Sequence, residues 1–156
     1  MSDISALKDR NNLKTLHLFL LGLITSSLYF IVWMYKTNAF LEEVTKIKTM
    51  SSRYFICYLS LMGLGGLFLN TANLYVVALG GMMLLTSTIL GIVWAFRARN
   101  ALRAYTLTEH KFELRMKGVY TLLFTIYYVN YCINDLPNAK QKSHEKMQSV
   151  EKTIQA

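Results

Sequence analysis

The sequence predicts an all-α integral membrane fold: a central two-helix transmembrane hairpin flanked by two apolar segments that are either re-entrant helical hairpins or further spans. Three observations predict it. Hydrophobic residues make up 53% of the chain and charged residues only 17%, whereas an ordinary soluble domain carries about 25% charge. The charges are also segregated, since 15–35, 54–96 and 118–134 hold no Asp, Glu, Lys or Arg. Finally, the middle stretch is 43 residues long. One spanning helix takes about 20 apolar residues, so this stretch fits two spans and a turn. With 156 residues, the chain forms a single membrane domain over 1–156. Its apolar segments fall at about 15–35, 54–69, 74–96 and 118–134, and a hydrophilic tail covers 135–156.

The elements follow in order. Residues 1–14 are a polar start carrying Asp3, Lys8, Asp9, Arg10 and Lys14. The first apolar run is interrupted by Thr25-Ser26-Ser27, whose hydroxyls compete for backbone groups and weaken a helix there. Beyond the break come Tyr29, Phe30, Trp33 and Tyr35. Such residues favour the membrane–water interface, so Trp33 and Tyr35 are expected beside lipid headgroups. In 36–53, Phe40, Leu41, Val44 and Ile47 recur at helical spacing with Glu42, Glu43 and Lys46 between them. That pattern predicts an amphipathic helix on the membrane surface. It also predicts a Glu42–Lys46 pair, with Ser51 or Ser52 capping the next helix.

The second apolar run ends in the polar turn Asn70-Thr71-Ala72-Asn73, and the third begins at Leu74. Glycines at 63, 65, 66, 80 and 81 permit close approach of the two arms. Gly63 and Gly66, with the small-residue stripe Ser87, Gly91 and Ala95, are the expected helix-packing positions. Next, 97–117 is strongly basic. Phe96, Leu102 and Tyr105 among its arginines imply that the third helix continues out of the bilayer. Thr106 and Glu109 match a capping-box spacing that would start another short helix. Arg97, Arg99, Arg103, Arg115 and Lys117 are the expected contacts for anionic headgroups. The last run carries Tyr120, Tyr127, Tyr128 and Tyr131. It resembles the first run: Ser27 followed by Leu28-Tyr29-Phe30-Ile31-Val32-Trp33 lines up with Thr125 followed by Ile126-Tyr127-Tyr128-Val129-Asn130-Tyr131.

Charge distribution bears on topology. The 17 basic residues all lie outside the apolar runs, and the Asn70–Asn73 turn has none. Four simple spans would divide them between both faces, a poor fit to the positive-inside bias. If the first and last runs enter the bilayer and return, all the basic segments face the cytoplasm. A half-helix of about 10 residues covers roughly 15 Å, half the hydrocarbon thickness, and the Thr25–Ser27 break provides a turning point. Non-helical backbone at that depth must be buried against protein or water.

Little in the sequence carries chemistry. His17, His110 and His144 are scattered and have no partner at ligand spacing. Cys57 and Cys132 sit inside apolar runs and read as buried thiols. No acid or base lies deep in a run, as a proton relay would need. No phosphate loop, nucleophile elbow or metal helix occurs. The expectation is therefore no catalytic, cofactor or metal site and no enzyme. The net charge of +8 reads as membrane bias and not as a nucleic-acid partner, because the basic residues flank apolar runs.

The stretch Thr25-Ser26-Ser27-Leu28-Tyr29-Phe30-Ile31-Val32-Trp33-Met34-Tyr35-Lys36-Thr37-Asn38 resembles the bacterial membrane family called domain of unknown function 4234. Thr25, Tyr29, Trp33, Tyr35 and Asn38 fit its pattern, and Ser27 stands where that pattern usually has Gly. Tyr127-Tyr128-Val129-Asn130-Tyr131 with Ile133-Asn134 looks like its closing motif, which extends the resemblance over 13–136. It implies a multi-pass protein of the bacterial inner membrane and no particular activity. The functional expectation is a non-enzymatic membrane module, an accessory subunit or scaffold, acting through a protein partner or anionic lipids, as a homo-oligomer or in a larger complex. The alternative is a small oligomeric channel or transporter.

Overall fold

A computed structural model describes residues 5–11 and 13–154. Asp3 of the polar start and the last two tail residues fall outside them. The helices are α1 (Ser5–Asn11), α2 (Thr15–Ile24), α3 (Leu28–Thr45), α4 (Ser52–Phe68), α5 (Leu74–His110) and α6 (Gly118–Ile154). Among the described residues the architecture is all-α.

The first apolar run breaks where its hydroxyl residues cluster. Ser26 and Ser27 adopt positive φ of 49° and 73°, a left-handed geometry no helix of L-residues continues through. Thr25 joins the two helix ends. Its Oγ1 donates to the Leu21 carbonyl at 2.6 Å and accepts from the Tyr29 amide at 3.0 Å, which satisfies a first-turn amide of α3 from the end of α2. The two arms fold together over Gly22. A Cβ there would fall 1.9 Å from Phe30 Cζ, so the ring occupies the room that glycine leaves. The turn thus keeps its left-handed residue although Ser27 replaces the expected Gly.

The separate surface helix expected over 36–53 is instead the second half of α3. No helix-breaking residue follows Tyr35, and the helix stops only at Lys46, in the left-handed region with φ 57°. Glu42 does not point to Lys46. Its Oε1 accepts from the Thr49 and Met50 amides, both at 3.1 Å, and so ties the 46–51 link back onto α3. Ser51 caps α4, its hydroxyl accepting from the Tyr54 amide at 3.3 Å.

Helices α4 and α5 form an antiparallel pair across the Asn70–Asn73 turn, and Asn73 caps α5. Their close approach falls at Gly65 and Gly80. A Cβ on Gly80 would sit 2.8 Å from Phe68 Cβ and 2.9 Å from the Gly65 carbonyl oxygen. Helix α5 has 37 residues, about 55 Å at 1.5 Å per residue, and is long and apolar enough to cross a membrane. It runs straight through the predicted capping box. Thr106 is buried, and its Oγ1 donates back to the Arg103 carbonyl at 3.1 Å, so it starts no new helix. The helix ends at Lys111, in the left-handed region with φ 53°.

From there the chain is extended. Phe112, Leu114 and Met116 are buried, while Glu113, Arg115 and Lys117 alternate to the outside, the two-residue period of extended backbone. Helix α6 carries a kink at Thr125 (φ 35°, ψ −105°). The two breaks therefore fall on Ser27 and Thr125, the residues aligned by the internal repeat. The hydrophilic tail is no separate element, because α6 continues through Pro137 as one helix.

Candidate functional site

The buried centre of the molecule is polar as well as aromatic. Trp33 from α3 and Trp94 from α5 meet edge to face with ring centroids 6.1 Å apart. Each indole N–H is taken up by an asparagine: Trp33 donates to Asn11 Oδ1 at 3.0 Å and Trp94 to Asn38 Oδ1 at 3.3 Å. A buried indole needs such a partner.

The two asparagines anchor different parts of the chain. Asn38 also accepts from the Thr49 hydroxyl and donates to Glu42 Oε1 at 3.3 Å, which fixes the link before α4. Asn11 donates to Asn130 Oδ1 at 2.6 Å and to Asn134 Oδ1 at 3.1 Å. Asn130 and Asn134 in turn donate to the Leu13 carbonyl at 3.2 and 3.0 Å, and Asn130 reaches Thr15 Oγ1 at 3.1 Å. One turn of α6 thereby holds the link between α1 and α2. Asn130 is fully buried. Since buried amides are costly unless bonded, this network fixes where α1, α2, α3 and α6 meet.

The sequence-predicted positions are distributed as follows. Trp33 is not an interface residue. It is 4% exposed, because Asn11 satisfies its polar edge inside the core. Tyr35 is exposed, with its ring 5.1 Å from Phe55. Ser87 and Ala95 are buried, and a Cβ on Gly91 would touch the Tyr58 ring of α4 at 3.8 Å, so the stripe packs within the chain. Gly63 and Gly66 face open space, and the intrachain approach uses Gly65 and Gly80 instead. Arg99 donates from Nε and Nη2 to the Met116 carbonyl at 3.0 and 2.8 Å, pinning the extended segment to α5. Arg103 meets Glu113 at 3.3 Å, and Arg97 lies 5.6 Å from the Tyr54 ring centroid. Arg115 and Lys117 are exposed, the latter 5.6 Å from the Tyr120 ring centroid.

Sequence reasoning missed Asn11 and Trp94. A signal for Trp94 was present: Ile31-Val32-Trp33 and Ile92-Val93-Trp94 are each followed, at matching places, by an aromatic residue (Tyr35, Phe96) and a cation (Lys36, Arg97). The paired tryptophans occupy equivalent positions of that pattern.

Fold and centre together define a class: an all-helical protein with two apolar segments broken at left-handed or non-helical residues, one long apolar helix, and a core tied by asparagine amides to a tryptophan pair. The chain belongs to the family described as domain of unknown function (DUF4234), which matches residues 13–104. That stretch takes in both tryptophans and Asn38, while the Tyr127–Asn134 segment lies beyond it. No curated protein and no solved structure matches the chain.

Proposed function

We propose that the chain is a non-enzymatic membrane module that works through a protein or lipid partner. In this reading α4 and α5 cross the bacterial inner membrane, and the two broken segments enter from the cytoplasmic side and return. The observation that carries it is where apolar side chains meet solvent. Of the most apolar 18 residues of α5, only 17% are buried within the chain, whereas the core helix of a soluble protein would be mostly buried. Apolar side chains are also exposed beside both breaks, at Leu23, Ile24, Leu122 and Leu123. Surface of this extent calls for lipid or a partner. The breaks support the return of both segments, since they divide the uncharged runs into the short stretches 15–24 and 28–35, and 118–124 and 126–134, and about 10 residues of helix cover only roughly 15 Å of about 30 Å of hydrocarbon.

The test is two-fold. The protein should stay with the membrane through alkaline carbonate washing, and recovery in the soluble fraction would defeat the reading. Single cysteines at Lys48, Thr108 and Ser149, in a background lacking Cys57 and Cys132, should resist an impermeant maleimide on intact cells, while one at Thr71 should label. Outside labelling at Lys48 or Ser149 would replace the returning segments with ordinary spans. Co-purification in mild detergent would then identify a protein partner.

A further inference from the structure

We propose that the groove between the extended segment at Glu113–Arg115 and the face of α6 that carries Tyr131, Lys142 and Lys146 binds the headgroup of an anionic phospholipid. The inference rests on the membrane reading above and deepens it. The groove has a volume of about 360 Å³, and its lining includes Arg115, Tyr128, Tyr131, Lys142, Ser143 and Lys146. Its two walls come from segments the sequence keeps apart. The extended stretch is held by the Arg99–Met116 bonds, and the α6 wall presents Tyr131, Asp135, Ala139, Ser143 and Lys146 near multiples of four residues, one helical face.

Charge decides what the groove takes. Arg115, Lys142 and Lys146 meet two carboxylates, Glu113 and Asp135. Glu113 is already paired with Arg103 at 3.3 Å, and Asp135 accepts from Asn138 Nδ2 at 2.9 Å. Among the described residues no carboxylate lies within ion-pair distance of Arg115, Lys142 or Lys146. Three exposed cations thus face the groove with their charge uncompensated, and an anion with several oxygens is the complement they lack.

The low end of the groove argues that this anion is attached to a lipid. Tyr128 and Tyr131 stack there, with centroids 6.5 Å apart and planes 12° apart. The Lys117 amide donates to the Tyr128 hydroxyl at 3.1 Å, which places these rings level with the start of α6. The Tyr120 ring on the first arm of α6 lies 5.7 Å from the Tyr128 ring, and the same arm carries the exposed apolar side chains Val119, Leu122 and Leu123. A ligand with its phosphate among the cations would therefore run its glycerol past the tyrosines and its chains onto that apolar surface. Aromatic rings at such a boundary are amphipathic anchors.

The test uses the full chain, purified in mild detergent with an excess of an equal mixture of phosphatidylglycerol and phosphatidylcholine, and counts retained lipid by native mass spectrometry. Phosphatidylglycerol should dominate. The double variant Lys142→Gln/Lys146→Gln should weaken its retention about fivefold for each lysine removed, the factor matching about 1 kcal/mol. Arg115→Gln, on the opposite wall, should give a similar single loss. Lys48→Gln and Lys111→Gln, exposed cations outside the groove, should change nothing. Wild-type retention in the groove variants, or equal losses in the controls, would overturn the proposal. So would displacement of the lipid by glycerol phosphate at equal concentration, which would make the ligand a soluble anion. Because lipid is counted in detergent, a failure here is separate from a failure of the carbonate test.

Discussion

The two ends of the molecule are assembled by different means. At the turn of the α4–α5 pair, side chains contribute little enclosure: Leu67, Leu74 and Tyr75 are 67%, 77% and 86% exposed. The helices touch through absent side chains, backbone against backbone at Gly65 and Gly80. At the other end Trp94, Leu102, Tyr105, Asn130 and Ile133 are almost wholly enclosed, and amide hydrogen bonds join four helices. The first end depends on its surroundings to cover it, whereas the second carries its own core. Conformational specificity is therefore concentrated at the basic end, while the apolar end tolerates change except where backbones meet.

Substitutions can break or sharpen that contrast, and thermal unfolding in detergent reads all of them. The largest loss is expected for Trp94→Ala, about 3–5 kcal/mol, because it empties the centre of the enclosed end. Asn130→Leu should cost roughly 2–3 kcal/mol by stripping partners from Asn11, Leu13 and Thr15. If either loss is no greater than that of an exposed α5 substitution such as Leu85→Ala, the enclosed end is not the stability centre. Gly80→Val should destabilise by about 1–3 kcal/mol through overpacking. Gly63→Val, facing open space, should stay within about 0.5 kcal/mol. Equal effects at the two glycines would mean that the backbone approach at Gly80 does not hold the pair. The smallest change has the opposite sign. Ser27→Gly should stabilise by about 1 kcal/mol, since glycine accepts the left-handed turn without the Cβ conflict. A loss there would show that the serine side chain matters more than the turn.

Much of the outline is legible in the sequence, because apolar runs and hydroxyl clusters act locally. The break at Thr25–Ser27, the turn at Asn70–Asn73 and the cap at Ser51 each depend on a few neighbouring residues. The alignment of Ser27 with Thr125 even locates the kink in α6. What sequence reading misassigned depends on distant partners. Trp33 has the composition of an interface residue, and only the arrival of Asn11 and Trp94 makes it core. Glu42 has Lys46 one turn away, yet Lys46 leaves the helix at its left-handed end and the amides of Thr49 and Met50 reach the carboxylate once the link folds back. Thr106 and Glu109 have the right spacing for a cap, but a helix already running through them leaves no free amide to cap. The groove beside α6 is the extreme case, since its walls meet only after the extended segment is pinned by Arg99.

The bond between Asn11 and Asn130 spans 119 positions of sequence. A ribosome adds about 5–20 residues each second, so roughly 6–24 s separate the synthesis of the two amides. During that interval the Asn11 side chain has only the Trp33 indole as a partner within the network, and the carbonyl of Leu13 waits for both of its donors. The amide of Asn11 is thus fully bonded only once α6 has been made through Asn134, so its placement registers the arrival of that helix.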